Sequence, residues 1–472
     1  MTKSLKRNTR GIIVTYTLVF GMMFLMLLSG ILGFVLIQLK QSAQKVAWTQ
    51  SLEIAEAGIN FYRWCLNHDI VESCQGQRDY LGPGGNILGN FSLQADSMLS
   101  CGQTVYGETK VEGWTLKHPE IKRKISVFYG QPSIAKYAYV LDSDVWIGSD
   151  HEIKGPYQSN GGIRMDGENQ SLVSSAKQEW TCTSSFGCST CPTVSGCRLS
   201  GSNCICPGVF TTTQNSNPYL FSFPVPPFNF AGLTIDLAQM KAASQSGGIY
   251  LRPSNEINSQ GKGYHLKFIN TGQVQIWIIT GLSPTYAYSI EERWHYDYFT
   301  ISNEYLYNTL PIPASCSLIF VEDNLWTEGE IKGKITIASA NLIDPNLDTD
   351  VILPGNIDYT LKDGSDGLTL IAERNVSIGP QSPNEMELRG VFLAQKGRFA
   401  RNHYPGNFRE KLEIVGTIGS KGRVGTQWTS GSQIVSGYLS RETTIDNNLL
   451  YLAPPFTPAV GSEYEIINWQ EE

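Results

Sequence analysis

The chain has 472 residues, long enough for two or three domains, because a single hydrophobic core rarely grows beyond about 250–300 residues. Charged residues make up only 17% of it, while 46 Gly, 22 Pro and 22 Tyr favour short strands joined by turns over a helical protein. The formal net charge of −7 argues against a protein coated along its length by nucleic acid, since phosphate binding draws on clustered Lys and Arg.

The first predicted element is a membrane-spanning helix. Residues 11–39 carry no charge, and this run exceeds the roughly 20 residues that a helix needs to cross the hydrocarbon layer. Bases at positions 3, 6, 7 and 10 precede it without an acid, so the positive-inside rule keeps the first residues cytoplasmic and sends the rest outward. A cleavable secretory signal is the alternative, but its apolar region is only about 7–15 residues long and ends in a small-residue site.

Helical spacing of Ala, Ile and aromatic residues continues beyond the apolar run to about position 68. The sequence therefore predicts a basic leader at 1–11 and one helix at 12–68, with a membrane span at about 12–39.

Three successive features resemble the N-terminal region of PilX-type minor pilins of type IV pili. They are a leader that ends in Arg10-Gly11, an uncharged helix, and then the run Glu53-Ile54-Ala55-Glu56-Ala57-Gly58-Ile59. The resemblance implies cleavage by a prepilin peptidase between Gly11 and Ile12, and it identifies Ala55, Glu56, Ala57 and Gly58 as the family motif. It also implies partners: other minor pilins, the major pilin and the inner-membrane assembly platform. Most pilins carry a glutamate at the fifth mature position, where this chain has Tyr16. That departure favours an alternative, a permanently anchored single-pass surface adhesin.

The head that follows is expected to be mainly β, which makes the fold class α+β. Alternating residues at 69–134 predict a small pilin-type sheet laid on the helix. Glu-Ile-Lys-Gly occurs at 152 and again at 330, and short apolar runs follow one another after position 316. They predict a β-solenoid similar to a right-handed parallel β-helix, with rungs at 135–170 and 316–425. The later runs also resemble solenoid modules attached to PilX-like N-termini.

A β-sandwich is the alternative, because turn spacing alone does not separate the two folds. If the two Glu-Ile-Lys-Gly copies lie on neighbouring rungs, residues 171–315 form a Cys-rich and aromatic insertion. The end of the chain, 426–472, is predicted as β-strand and coil.

Six of the ten cysteines lie within the insertion, at Cys182, Cys188, Cys191, Cys197, Cys204 and Cys206. Ribbon-type zinc sites usually pair two CxxC motifs, whereas here the second pair is CxC. An exported head meets an oxidising space, so we expect three disulfides, with 15 possible connectivities, rather than zinc. Cys65 and Cys74 are candidates for a clasp at the end of the helix, which leaves Cys101 and Cys316 unassigned.

Two further patterns suggest ligands. Trp294, Tyr296 and Tyr298 share one face of a predicted strand, either as a strip that binds carbohydrate or another surface or as an aromatic face buried in the sheet. Oxygen-bearing residues alternate from 344 to 350, as at the start of a calcium loop, but Thr349 and Gly355 stand where an EF-hand needs Gly and Glu. The weak calcium candidates are Asp344, Asn346, Asp348 and Asp350, with a solvated turn as the alternative.

Charge is unevenly distributed, because residues 386–425 contain eight basic residues and only three acidic ones. Aromatic residues lie among the bases, a combination that attracts phosphate and stacks on exposed nucleobases. One hypothesis is that these residues form a patch that binds an acidic ligand such as DNA. The alternative is that solvated Lys and Arg side chains prevent aggregation at the edges of the solenoid. The candidate residues are Arg389, Lys396, Arg398, Arg401, Arg409 and Lys411.

No HExxH, GxSxG or GxxxxGK[ST] motif is present, and the six histidines are dispersed. We therefore expect a non-catalytic minor pilin-like subunit at or near a filament tip, without a cofactor. Its helix lies in the inner membrane before assembly, and its head is extracytoplasmic, on a pilus or at the cell surface. The remaining alternatives are a pilus DNA receptor and a carbohydrate-active β-solenoid.

Overall fold

The structure is a computed structural model that describes residues 10–68, 70–230, 237–344, 346–431, 433–461 and 463–472, with the backbone alone at 10–12, 97–99 and 103–106. Positions 1–9 of the predicted leader lie outside the described residues. The chain is mostly β-strand with one long N-terminal helix, and it divides into two compact units. The first unit runs to Asp96 and includes Glu108–Tyr129 and Ile466–Glu472; the second contains Ser97–Gly107 and Gly130–Glu465.

The long helix spans Arg10–Asn67 and has two different halves. From position 13 to position 39 its large apolar side chains are exposed, and this is the helix in the described part of the chain that is long and apolar enough to cross a membrane. From Ala47 onward one face is buried, including Ile54, Ala55 and Ile59. The change from an exposed apolar surface to a one-sided buried stripe divides the helix into a lipid-compatible part and a packing part.

The buried stripe packs on the five-stranded sheet of the first unit, which is built from Gly76–Leu81, Ile87–Ser100, Gln103–Thr115, Lys122–Gly130 and Glu465–Glu471 in that order. Close approach requires small residues. A Cβ added to Gly58 would lie 2.6 Å from Val111 Cγ1, and one added to Gly113 would lie 2.5 Å from the Ala55 nitrogen. The Tyr129 hydroxyl then donates to the Ile59 carbonyl at 2.7 Å.

The second unit consists mainly of short strands that pair in parallel and in register, in three ladders. The first ladder contains Ile249–Leu251, Leu318–Val321, Lys334–Ser339, Gly367–Ala372, Glu385–Ala394, Phe408–Ser420, Tyr139–Leu141, Tyr157–Ser159, Val173–Ser175 and Phe221–Ser222. The second contains Tyr264–Ile269, Leu325–Ile331, Val351–Leu353, Val376–Ile378 and Phe399–Ala400. The third contains Leu325–Ile331, Ile357–Tyr359, Glu385–Ala394, Phe408–Ser420, Gln433–Thr444, His151–Lys154 and Glu168–Asn169.

Apolar side chains stack along these ladders and form the core of the second unit. In the first ladder Ile337 is paired with Leu370, Leu370 with Phe392, and Phe392 with Ile418. All of these residues are buried. Since neighbouring strands lie about 4.8 Å apart, each side chain packs directly on its counterpart in the next strand.

The order of strands along the ladders differs from their order in the sequence. The strand Phe408–Ser420 pairs with Tyr139–Leu141, so the last strands of the first ladder stack on its earliest ones. The condition set for an insertion at 171–315 is not met, because the two Glu-Ile-Lys-Gly copies do not pair with each other: Glu152 is paired with Glu442 and Glu168, and Glu330 with Asp358. The predicted insertion at 171–315 is also interrupted, because it contributes strands to the first two ladders.

The remaining strands and helices lie outside the three parallel ladders. Parallel strands Val145–Ile147, Ile163–Met165 and Val209–Phe210 form a separate sheet. Antiparallel elements are the Cys-rich sheet Glu179–Cys182, Arg198–Ser200 and Asn203–Pro207, the long pair Gln273–Ser289 and Arg293–Pro311, and Gln427–Ser430 against Gln433–Thr444. A second α-helix spans Leu237–Gly247. Short 3-10 helices lie at Val71–Cys74, Ile134–Lys136, Ser184–Phe186, Thr193–Ser195, Pro218–Leu220, Ser254–Glu256 and Asn447–Leu449.

Candidate functional site

The candidate site lies on the long antiparallel pair Gln273–Ser289 and Arg293–Pro311, which we call the ribbon. Near its turn, Tyr286 is paired with Tyr296, and Tyr288 with Trp294. Side chains alternate between the two faces of a strand, so these four rings share one face. Between them Ala287 and Asp297 are buried on the opposite face.

The rings on the ribbon are accessible to solvent. Tyr286 is 48% exposed, Trp294 49%, Tyr296 60% and Tyr298 54%. Of the two interpretations of the aromatic stripe, the buried aromatic face is wrong. The Tyr286 ring lies 5.0 Å from the Trp294 ring and 5.4 Å from the Tyr296 ring between centroids, so these three rings form one contiguous surface. Contiguous exposed aromatic area on a soluble surface marks a site of interaction.

A buried carboxylate fixes the inner face of the ribbon. Asp297 accepts hydrogen bonds from Asn402 Nδ2 at 2.9 Å, from the Tyr404 hydroxyl at 2.8 Å and from His295 Nε2 at 2.8 Å. Burial lowers the pKa of His295, but hydrogen bonds to the Arg293 carbonyl and to Asp297 outweigh burial and raise it overall. Burial and the charge of Asp297 raise the pKa of the Tyr404 hydroxyl, so it remains a hydrogen-bond donor.

The same end of the ribbon is held through its backbone. Tyr288 and His403 exchange two backbone hydrogen bonds, of 2.9 and 3.0 Å. The His403 ring contacts both Trp294 and Trp428, with centroids 5.5 and 5.9 Å apart. Burial, followed by the charge of Arg401, lowers the pKa of His403, so its ring is neutral near pH 7. These contacts therefore hold the aromatic surface in a fixed position on the second unit.

The sequence pattern predicted the aromatic face of one strand of the ribbon and missed the rings on the other strand. Tyr286 and Tyr288 repeat at period two just before the turn, as Trp294 and Tyr296 do just after it. That mirror pattern is typical of a hairpin with one aromatic face and was the missed signal. Trp428 is remote in sequence, and no local pattern indicates it.

The predicted acidic-ligand patch is not assembled as one exposed surface. Arg401 is fully buried beneath the rings of Tyr404 and Tyr438, and burial lowers its pKa to about 10. Arg398 is also buried, and it contacts Glu291 Oε2 at 3.1 Å. Buried cations are stable only when they are paired or hydrogen-bonded, so these two belong to the interior.

The other four bases of the patch each have internal partners. Arg389 contacts Asp358 at 2.8 Å, Lys396 contacts Asp348 and Glu373 at 2.6 and 2.8 Å, Arg409 donates to the Ser382 and Pro380 carbonyls at 2.6 and 2.7 Å, and Lys411 contacts Glu413 and Glu442 at 2.9 and 3.1 Å. Except for Glu413, these acids lie outside 386–425, so a count over that segment omits them. The local positive charge is therefore largely neutralised in the folded chain.

The calcium candidates do not form an oxygen cage. Asp344 Oδ1 accepts from the backbone and side chain of Asn346, both at 3.0 Å, as in a closed turn. Asp348 faces Lys396, and Asp350 pairs with Arg374 through two hydrogen bonds of 2.8 and 2.6 Å. Their oxygens are engaged by cations and amides of the protein itself.

All ten cysteines, each among the described residues, are in disulfides. The insertion has the pairs Cys182–Cys188, Cys191–Cys204 and Cys197–Cys206, and the others are Cys65–Cys74 and Cys101–Cys316. Two sulfur triads, which share Cys206, have atoms within 4.8 Å of one another, the spacing of a metal site. In the structure every one of those sulfurs is in a disulfide, which leaves no thiolate to coordinate zinc.

The remaining predicted site residues lie on the long helix Arg10–Asn67. Gly11 and Ile12 lie in its first turns, where only the backbone is described. In the predicted motif at 55–58, Ala55 and Gly58 are buried against the sheet, while Glu56 is exposed. The small residues therefore serve packing, and the carboxylate faces outward.

No protein-family model and no curated protein matches the chain. The chain is similar to the crystal structure of the competence-associated pilin ComZ from Thermus thermophilus, with 10% sequence identity and a TM-score of 0.29. The match covers 90% of this chain and 97% of that one. A likeness of this size carries no inference about function.

Proposed function

We propose that the chain is a non-catalytic, PilX-like minor pilin-type subunit of a type IV pilus, with its helix in the inner membrane before assembly and its head exported. The observation that carries the proposal is the division of one continuous helix, Arg10–Asn67, into an exposed apolar half and a half packed on an antiparallel sheet. Such a helix is suited to lie in lipid and then between other pilin helices, while the sheet remains outside. Its partners are other minor pilins, the major pilin and the assembly platform.

The second unit is, in this proposal, a β-solenoid carried by the pilin-type part. Its ladders are parallel over many short strands, and identical faces stack from one strand to the next. A β-sandwich is built from antiparallel sheets, so the pairing favours the solenoid over that alternative.

The ribbon gives the head a binding role, and its chemistry favours a neutral extracellular glycan. Sugar rings present flat C–H faces that cover aromatic rings, and the four exposed rings offer several such positions along one face. Glu291 and Glu292 stand at the turn beside Arg293, Arg398 lies 3.1 Å from Glu291, and the chain as a whole carries a net charge of −7. The turn therefore has no excess of positive charge with which to attract a polyanion.

Mass spectrometry of the mature N-terminus tests the pilin assignment. We expect the surface-exposed pool to begin at Ile12, and we expect Gly11→Ala, which removes the residue before the cut, to leave the full-length chain in the inner membrane. A surface pool that retains residues 1–11 would support the permanently anchored adhesin instead. Deletion of the assembly platform separates the two further, because a fixed anchor remains accessible at the surface without it.

A further inference from the structure

One end of the first unit exposes a group of large apolar side chains, which we call the apolar end. Beyond the helix segment 13–39, ten large apolar residues of this unit are exposed among those whose side chains the structure describes, and six of them belong to this group. Each of the six is 43–57% exposed in the whole chain. They are Val46, Trp48, Leu81, Ile87, Leu88 and Leu116.

The contacts between helix and sheet place this end on the side of the membrane span. Val111 packs against the helix at Gly58, and Gly113, two residues further along the same strand, packs against it at Ala55. The strand therefore runs toward the N-terminal half of the helix, and Leu116 continues it in that direction. The apolar residues of the neighbouring strand lie beside Leu116, so they share its position relative to the span.

The turns at this end approach the level at which the span ends. Ala55 is 16 residues after Leu39, the last residue of the uncharged run, a distance of about 24 Å along the helix. Leu116 lies about 10 Å nearer the span than the contact at Ala55, because a strand advances about 3.3 Å per residue. Its nitrogen donates to the Leu88 carbonyl at 3.1 Å, and the turn 82–86 extends further in the same direction. This turn therefore lies within about 10 Å of the level of Leu39.

The length of the uncharged run brings the same end closer to lipid. Its 29 residues, 11–39, form a helix about 43 Å long, whereas the hydrocarbon core is about 30 Å thick. A span that exceeds the core is accommodated mainly by tilt. Tilt of the helix lowers one side of the unit packed on it toward the bilayer surface.

Basic side chains surround the apolar end. The segments 40–48, 81–88 and 112–124 carry six bases and two acids, and Glu471 and Glu472 lie beside Arg123 and Lys124, which leaves an excess of two bases. Lys45 and Lys117 adjoin members of the group in the sequence, are exposed and form no ion pair with another described residue. The six bases are Lys40, Lys45, Lys117, Lys122, Arg123 and Lys124.

The indole of Trp48 is held at this end by a cation. The Arg123 guanidinium lies over the Trp48 ring, 3.3 Å from its centroid, while the ring remains half exposed. Tryptophan is enriched at the boundary between headgroups and acyl chains, and lysine and arginine near an anionic leaflet add electrostatic attraction. Exposed apolar side chains, a tryptophan and an excess of bases therefore coincide at the end of the unit that faces the bilayer.

We propose that the apolar end docks on the surface of the bilayer that the helix crosses. Its aliphatic side chains and Trp48 enter the boundary of headgroups and acyl chains, and Lys45 and Lys117 contact the lipid phosphates. The inference rests on the proposed insertion of the helix in the membrane and adds a second, peripheral contact. Extraction of the chain into a filament must then release this contact as well as the span.

The test uses the full chain in nanodiscs of phosphatidylcholine with phosphatidylglycerol as the anionic lipid. A photoreactive benzophenone side chain replaces Ile87 in the apolar end, Phe34 within the span or Ile70 beyond the end of the helix, in three separate proteins. Mass spectrometry should find lipid adducts from positions 87 and 34. Position 70 should give none, because it lies more than about 40 Å along the helix from Leu39.

A substitution in the turn tests whether the apolar side chains drive docking. Leu116→Asn should lower the docking equilibrium, and with it the adduct yield from position 87, by about 5-fold, the effect of leaving half a leucine side chain unburied. The side chain is half exposed in a turn, so the fold is retained. The yield from position 34 should not change. Ile70→Asn, at an exposed position remote from the span, is the matched control and should leave the yield from position 87 unchanged.

The outcomes separate docking from insertion. Lipid adducts from position 34 without any from position 87, or a yield from position 87 that Leu116→Asn leaves intact, would overturn the docking proposal alone. The same labelling in cells covers the other occupant: adducts of position 87 with another protein in place of lipid would assign this surface to contacts between subunits and overturn the proposal. If position 34 gives no lipid adduct, the proposed membrane insertion of the helix fails with it.

Discussion

The indole ring of Trp294 lies over the phenol ring of Tyr286, with centroids 5.0 Å apart and planes only 10° apart. Both residues come from opposite strands of the ribbon and are half exposed. The two rings stack, so each covers part of one face of the other and together they form a rigid aromatic platform at the surface. This platform is the central element of the proposed glycan site.

We expect Trp294→Ala to reduce affinity for the hexasaccharides cellohexaose and chitohexaose by about 10-fold, because stacking on one aromatic ring contributes about 1–2 kcal/mol. Stability should change by less than about 1.5 kcal/mol, since the ring is half exposed. Tyr219→Ala, at a ring that is 98% exposed away from the ribbon, is the control. Equal losses in the two variants, measured by calorimetry on the full chain, would contradict a specific platform.

The contribution of His265 to the stability of the second unit should fall as pH rises above the ordinary histidine pKa. Burial lowers the pKa of His265, but the hydrogen bond to Glu304 and the neighbouring carboxylate of Glu328 outweigh burial and raise it overall, with Lys267 opposing them. A histidine with a raised folded-state pKa contributes its full stabilisation below the unfolded pKa of about 6.5. That stabilisation is lost as pH rises through the folded-state pKa.

Denaturant titrations of the full chain between pH 6 and pH 9 measure this effect. His265→Gln should remove this fall from the pH profile of the unfolding free energy, and His68→Gln, at an exposed histidine, should keep the wild-type profile. The raised pKa of His295 and the lowered pKa values of His151 and His403 contribute slopes of opposite sign in both proteins, so the difference between variant and wild type is the measured quantity. An unchanged slope in His265→Gln would show that this histidine does not carry the effect.

The disulfides of the insertion give a third prediction. A non-reducing digest of exported protein should yield the bridges Cys182–Cys188, Cys191–Cys204 and Cys197–Cys206. Their loops are short, so reduction should lower the stability of this Cys-rich sheet by about 2–4 kcal/mol per bridge at most. Free thiols with stoichiometric zinc in the native protein would contradict the prediction.

Local patterns in the sequence indicated the long helix and the predominance of short strands after it, because both depend on apolar spacing within a few residues. They did not indicate the order of strands, since the pairing of Phe408–Ser420 with Tyr139–Leu141 joins positions far apart in the chain. A four-residue repeat such as Glu-Ile-Lys-Gly fits a ladder at several positions, so it could not identify its neighbour.

At the candidate sites, too, the sequence predicted what depends on neighbouring residues and missed what depends on residues far away in the chain. The spacing of Trp294, Tyr296 and Tyr298 predicts a common face but not which face is buried. That is decided by Asn402 and Tyr404, which bind Asp297 from about a hundred residues away. A count of charges likewise treats every arginine as exposed, whereas Arg401 packs against the ring of neighbouring Tyr404 and the ring of Tyr438 from another strand.

The packing of helix on sheet gives the last prediction, through two glycines of the same helix. Gly→Ala in a helix gains up to about 1 kcal/mol from propensity alone. At Gly30 nothing lies within 4 Å of the added Cβ, so Gly30→Ala should be neutral or slightly stabilising. At Gly58 the Cβ would meet Val111 Cγ1 at 2.6 Å and Phe91 at 2.8 Å.

Val111 and Phe91 are both buried, and a β-branched side chain has few alternative rotamers, so neither yields easily. Overpacking of this kind costs about 1–3 kcal/mol, more than the propensity gain. We therefore expect Gly58→Ala to lower the thermal unfolding midpoint of the first unit in zwitterionic micelles and Gly30→Ala to leave it unchanged. Equal midpoints for the two variants would mean that the helix does not approach the sheet as closely at Gly58 as the packing argument requires. In that case the small residues of the Ala55–Gly58 motif would need a role in contacts with other pilin helices instead.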